Sequence, residues 1–214
     1  AFGEMDRNND SDGVWRLTAG AGSKKFTVSA IQSIGALEIY NTTIRNFYIP
    51  EDASGEHGVI GLATSDMAGH LGNTGNVNNY RYTMLVNTVI EKCKGVLGTA
   101  IMIGNGKDFL QQDIDPNVKD RYVTLDRVTI RDCVTFCDDN GWGGLIRCRG
   151  GSRHSMKLIN STFTGNFSHN DGAVLWWNAC GHANTNCTID GCNFIGNRAM
   201  REAGAIRMEG SLNF

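Results

Sequence analysis

Two groups of side chains in this sequence have the types and spacing that chemistry would need. The first comprises Asp138, Asp139 and Asn140, then His169, Asn170 and Asp171, then Arg201 and Glu202. Cleaving a polysaccharide by elimination takes a base beside the substrate carboxylate and a cation to steady the enolate. Hydrolysing a glycoside takes two carboxylates at a set separation. Asp139, His169, Asp171, Arg201 and Glu202 supply these residue types. Charged residues are also the ordinary occupants of solvent-facing corners. Large neighbours such as Trp142, Phe167 and Met200 would hold the acids and bases apart, so catalysis is not the expected use. The second group is Arg149, Trp177 and Glu209, which an internal repeat brings into one outward column. An exposed Trp flanked by Arg and Glu is a flat platform on which a sugar ring can stack while its hydroxyls are bonded. The plainer alternative covers Trp177 with a loop or a neighbouring chain.

Other patterns carry less. Asn8-x-Asp10-x-Asp12-Gly13 echoes the start of a calcium loop, but no acid stands where the closing bidentate Glu belongs. It reads as an Asp- and Asn-rich turn, and no metal or cofactor is expected. The seven cysteines fit no zinc-binding pattern and are odd in number, so at least one is free or pairs outside the chain.

These groups are placed by a repeat, the first thing to seek in such a chain. Leu37–Phe47, Thr83–Cys93, Val123–Cys133, Met156–Asn166 and Cys187–Asn197 align column by column. Ile39, Leu85, Leu125, Leu158 and Ile189 form an apolar column, with mostly polar residues just before them, as period-2 strands require. Asn41, Asn87, Arg127, Asn160 and Gly191 follow. Asn and Gly tolerate left-handed geometry, so this column reads as a corner, with Arg127 as its exception. Ile44, Ile90, Ile130, Phe163 and Phe194 turn inward again. Phe47, Cys93, Cys133, Asn166 and Asn197 close the block in one interior slot. The amides of Asn166 and Asn197 are expected to bond to backbone or to each other. Cys93 and Cys133 are expected on adjacent coils with their side chains together, bonded or not.

A second block follows each first one, built on His57-Gly58-Val59-Ile60, Gly98-Thr99-Ala100-Ile101, Gly143-Gly144-Leu145-Ile146, Asp171-Gly172-Ala173-Val174 and Ala203-Gly204-Ala205-Ile206. Its alternation predicts Val174 and Trp176 inside, with Cys148 beneath Trp176, and Leu175 and Trp177 outside. Constant columns at varying intervals imply stacked coils with insertions on one face, such as 63–81 and 104–120. The expected fold is all-β: a right-handed parallel β-helix over residues 1–214 as a single domain. Residues 1–35 read as irregular or as a degenerate first coil around Phe26–Ile34. No capping segment is legible after Ala205, so the chain reads as part of a longer polypeptide or as one that stacks end-on.

Composition agrees. Gly is abundant (27) and Pro nearly absent (2), and apolar residues at 41% are too many for a disordered chain. A net charge of −2 gives no field for nucleic acid, and no apolar run is long enough to span a bilayer. Sequons at Asn41, Asn160, Asn166 and Asn186 and the cysteine count lean toward an extracellular setting.

Phe163-Thr164-Gly165-Asn166 with Asp171-Gly172-Ala173-Val174, and Phe194-Ile195-Gly196-Asn197 with Ala203-Gly204-Ala205-Ile206, resemble the repeats of chlamydial polymorphic outer membrane proteins. Gly143-Gly144-Leu145-Ile146 is a looser copy. Similar repeats occur across the wider pectin-lyase-like β-helix superfamily. The resemblance implies a secreted or surface-displayed β-helix, structural or adhesive, with a glycan or surface protein as partner and end-on or lateral self-assembly. Relatives in that superfamily also include polysaccharide lyases and glycosidases, which keeps the enzymatic alternative open.

Overall fold

The computed structural model describes residues 29–33, 36–49, 58–62, 82–96, 98–103, 121–136, 143–148, 154–178, 186–209 and 212–213. Among them there is no helix, and every strand pairs in parallel with its counterpart one coil away. The chain forms a parallel β-helix of four sheets. The first sheet contains Leu37–Tyr40, Tyr82–Val86, Arg121–Asp126, His154–Ile159, Asn186–Asp190 and Leu212–Asn213. The second contains Thr43–Arg45, Val89–Glu91, Thr129–Arg131, Thr162–Thr164 and Asn193–Ile195. The third is shorter, with Lys94–Val96, Val134–Phe136, Phe167–Ser168 and Arg198–Ala199. The fourth contains Ile31–Ser33, Ile60–Leu62, Ile101–Ile103, Ile146–Cys148, Leu175–Asn178 and Ile206–Glu209.

Each column read from the first block holds. Ile39, Leu85, Leu125 and Leu158 stack in register, as do Ile44, Ile90, Ile130 and Phe163, and all but the half-buried Ile44 are buried. The Phe163 and Phe194 rings lie stacked, with centroids 5.0 Å apart. The strand Ile31–Ser33 pairs with Ile60–Leu62, so part of the expected degenerate first coil exists. Residues 1–28, including the Asp- and Asn-rich turn, and the insertions 63–81 and 104–120 lie outside the described residues.

Left-handed residues turn the corners. Asn41, Asn87, Arg127, Asn160 and Gly191 have φ between 49° and 61°, so Arg127 obeys its column despite its side chain. A second left-handed column, Asn46, Lys92, Asp132, Gly165 and Gly196, turns the second sheet into the third. The sequence does not announce this corner, because Lys and Asp accept the strain that Asn and Gly would signal. A third left-handed set, Gly98, Gly172 and Ala203, leads into the fourth sheet. Here the coils approach closely: a Cβ on Gly144 would collide with the Gly172 carbonyl oxygen.

A kinked corner breaks the strand ladder, and side chains repair it from the next coil. The Cys133 N–H donates to Asn166 Oδ1 at 3.1 Å, and the Asn166 N–H donates to Asn197 Oδ1 at 3.1 Å. Asn166 Nδ2 in turn donates to the Ile130 carbonyl and to Asn197 Oδ1, both at 2.9 Å, and Asn197 Nδ2 to the Phe163 carbonyl at 2.8 Å. The Asn ladder is present, and Asn166 is buried within it. Cys93 and Cys133 share the same slot as free thiols, with the Cys93 N–H 3.5 Å from Cys133 Sγ. At the first corner Ser161 serves likewise: its Oγ accepts from the Val128 N–H at 3.0 Å and donates to the Ile159 carbonyl at 2.8 Å.

The register of the fourth sheet corrects one expectation. Ile146, Leu175 and Ile206 are partners, and so are Cys148, Trp177 and Met208. Leu175 and Trp177 therefore point inward, whereas Trp176 joins the outward column of Met102, Arg147 and Arg207. The alignment of Asp171-Gly172-Ala173-Val174 with its neighbours is one residue out. A slip of one residue exchanges the two faces of a strand.

Two outcomes test the corner scheme. Asn166→Leu removes the acceptor of the buried Cys133 N–H, and should cost roughly 1–3 kcal/mol. Thermal melts showing an unchanged midpoint would contradict this. Burial pushes the Cys148 thiol up and takes Cys187 to about 12. Cys133 is pushed up too, first by its hydrogen bond with Cys93 and then by burial. Access sets the order: Cys192 is half-buried whereas Cys93, Cys133, Cys148 and Cys187 are buried, so alkylation of the native protein, read by mass spectrometry, should label Cys192 first of these five.

Candidate functional site

The expected corner cluster is partly assembled. Asp171 lies fully buried at the entry to the fourth sheet, where its Oδ1 accepts from the Glu202 N–H at 3.0 Å. Its Oδ2 pairs with Arg207, which also meets Glu202 at 2.9 Å. Both carboxylate oxygens of Asp171 are thus engaged in joining the fourth and fifth coils. Sequence reasoning did not include Arg207 in this cluster, because the one-residue slip hid its place. His169 is half-buried on the third sheet's side, its ring edge-on to Phe167 at 4.9 Å and tilted against Phe136 at 5.8 Å. Arg201 and Glu202 are exposed. Asp139 and its neighbours Asp138 and Asn140 lie outside the described residues. The described members form a structural ion pair with a histidine packed on aromatics.

The expected aromatic platform is not where the alternation put it. Trp177 is fully buried between Cys148 and Met208, so its ring offers no face to a ligand. Glu209 is a register partner of Asn178, and Arg149 lies outside the described residues. The true outward column holds Arg147, whose guanidinium carbon sits 5.2 Å from the Trp176 ring centroid. Most of that column is covered as well: Met102, Arg147 and Trp176 are at most 3% exposed, and Arg207 is half-buried. The outer face of the fourth sheet is closed to large ligands at these positions.

The outer face of the first sheet is different. Its outward positions run Glu38, Met84, Thr124, Lys157 and Thr188 in one column, and Tyr40, Val86, Asp126, Ile159 and Asp190 in the next. Tyr82, Tyr122, Ser155 and Asn186 form a third. None of these fourteen side chains is buried, and Tyr40 and Tyr122 are 45% and 53% exposed. At one end, Glu38 accepts from Tyr40 at 3.0 Å and from Tyr82 on the next coil. The hydrogen bond from Tyr82, then that from Tyr40, holds the Glu38 carboxyl below its usual range. The same bonds push both phenols up. Alternation predicts these positions outward; the meeting of Tyr40 and Tyr82 on Glu38, with Tyr122 the register partner of Tyr82 one coil further on, depends on strand register and was not read from the sequence.

The outer face of the second sheet carries its own charges. Arg131 Nε donates to Glu91 Oε2 at 2.7 Å, and Arg45 is the register partner of Glu91 on the other side. Two guanidinium groups thus face one carboxylate, so this ladder keeps a net positive charge. Among the described residues no cluster of His, Cys, Asp and Glu could hold a metal ion.

Glu38 has a depressed folded pKa, so its bonds to Tyr40 and Tyr82 persist above the ordinary carboxylate range. They are lost as pH falls through the lowered value. An NMR titration of the Glu38 side-chain carboxyl should show a midpoint below that of a free glutamate. Tyr82→Phe should move it back up, because Tyr82 is the larger cause; an unchanged midpoint would contradict the geometry. Comparison with family models, curated proteins and solved structures finds no match to this chain.

Proposed function

We propose that this chain is a non-catalytic β-helix that works outside the cell or at its surface, presenting an extended face to a glycan or a partner protein. The observation that carries the reading is the open outward face of the first sheet, with side chains from five coils available along one surface. A parallel β-helix makes such a surface cheaply, since each coil repeats the same outward positions at about 4.8 Å. Asp171 favours this reading over catalysis, because both its oxygens are already engaged. The resemblance of the Phe163–Asn166 and Phe194–Asn197 repeats to chlamydial polymorphic outer membrane proteins, within the pectin-lyase-like superfamily, supports a secreted or surface-displayed role. Self-assembly belongs to the same reading. End-on or lateral self-assembly is what the resemblance of the repeats implies.

The test is incubation with polyuronates and neutral polysaccharides, reading new reducing ends and unsaturated products. No product is expected from any of them. Cleavage that disappears in His169→Ala or Glu202→Gln would replace this reading with that of a polysaccharide lyase or glycosidase acting through Asp139, His169, Asp171, Arg201 and Glu202.

A further inference from the structure

The exposed aromatic rings of the first sheet gather at one end of its outward face. Tyr82 and Tyr122 are register partners on adjacent coils, and Tyr40 stands on the coil before, in register with Val86. Glu38 lies on the same face, held by the phenols of Tyr40 and Tyr82. Each Glu38 oxygen accepts one phenol, which leaves further lone pairs for donors from outside. Since its carboxyl is held below the usual range, Glu38 is an ionised, positioned acceptor at neutral pH. Rings that offer C–H-binding faces beside a fixed acceptor match a ligand with an apolar face and hydroxyl donors at its rim.

Charge decides between classes of such ligands. The face carries Glu38, Asp126, Lys157 and Asp190, and Asp126 is paired with Arg127 at the corner at 2.9 Å. What remains is two carboxylates, Glu38 and Asp190, against the one ammonium of Lys157, a net of −1 over the face, which is no strong field to collect a charged polymer. Its aliphatic side chains are divided as well: Met84 and Val86 are separated from Ile159 by Thr124, Asp126 and Lys157. The face therefore lacks the contiguous apolar centre of a stable protein–protein interface.

Resting on the surface-presenting role proposed above, we infer that this face is a binding site for a neutral glycan. Pyranose rings stack on Tyr40 and Tyr122, and sugar hydroxyls donate to Glu38. The site is distinct from the corner cluster and from the buried Trp177.

The experiment is affinity gel electrophoresis of the whole chain in gels containing hydroxyethyl-cellulose, galactomannan or arabinoxylan, with polygalacturonate and chitosan as charged comparisons. At least one neutral polymer should slow migration, and added salt should leave the effect intact. Tyr40→Ala and Tyr122→Ala should each weaken binding by roughly tenfold, about 1.4 kcal/mol. Tyr122→Phe should retain it, since the ring and not the hydroxyl does the stacking. Glu38→Gln should weaken it severalfold. Three results would overturn the inference: no retardation by any neutral polymer, retardation unchanged in both alanine variants, or binding confined to a charged polymer and abolished by salt. Melting curves of the variants separate lost binding from lost folding, and these exposed positions should leave the melt unchanged. Absence of glycan binding would leave the surface reading standing for a protein partner, whereas cleavage of a polymer would remove that reading itself.

Discussion

The structure depends on how backbone groups at its corners find partners. A strand that bends through a left-handed residue cannot continue the regular ladder across the bend, and a buried N–H without an acceptor costs more than most side-chain contacts return. Here the acceptor comes from the coil stacked next to it. Asn166 Oδ1 takes the Cys133 N–H, Asn197 Oδ1 takes the Asn166 N–H, and Ser161 Oγ takes the Val128 N–H. Each coil thus completes the corners of its neighbour, so hydrogen bonding and stacking register are one constraint. It also limits what these side chains can do elsewhere. Asn166 heads a sequon, yet its amide is spent inside the coil.

Much of this architecture was legible because the columns repeat a physical demand. Leu85, Leu125 and Leu158 sit at one interior level, and Asn41, Asn87 and Asn160 at one bend. Legibility failed where different residues meet the same demand. Lys92 and Asp132 adopt the backbone that Gly165 and Gly196 adopt freely, so the second corner left no recognisable column. The third sheet, with strands as short as Phe167–Ser168, is too brief for alternation to be read. The slip at Trp176 and Trp177 had another source. Matching Asp171-Gly172-Ala173-Val174 to its neighbours by residue likeness overrode spacing, although the 31-residue interval from Asn166 to Asn197 also relates Leu175 to Ile206. Between these two coils the interval was the stronger signal.

That slip matters for function because it moved an aromatic ring from one face to the other. With Trp177 inside, the outer surface of the fourth sheet is represented by Met102, Arg147 and Trp176, all shielded from solvent. The first sheet has an open face, where outward residues are polar, aromatic, charged and aliphatic by turns. Its tyrosines were visible in the sequence as residues but not as a group, since Tyr40, Tyr82 and Tyr122 are brought together only by coil stacking. The same mechanism that satisfies the corners therefore composes the candidate binding surface. It sets which coil lies beside which and in what register.

Amide hydrogen exchange at the corners tests this account most directly. If neighbouring side chains complete the bends, the N–H groups of Val128, Cys133 and Asn166 should be protected as strongly as Ile130 within the second sheet, and should exchange only with global unfolding. Exchange of these three amides at the rate of exposed turns, while Ile130 stays protected, would show that the corners are open and that stacking register is held by something else.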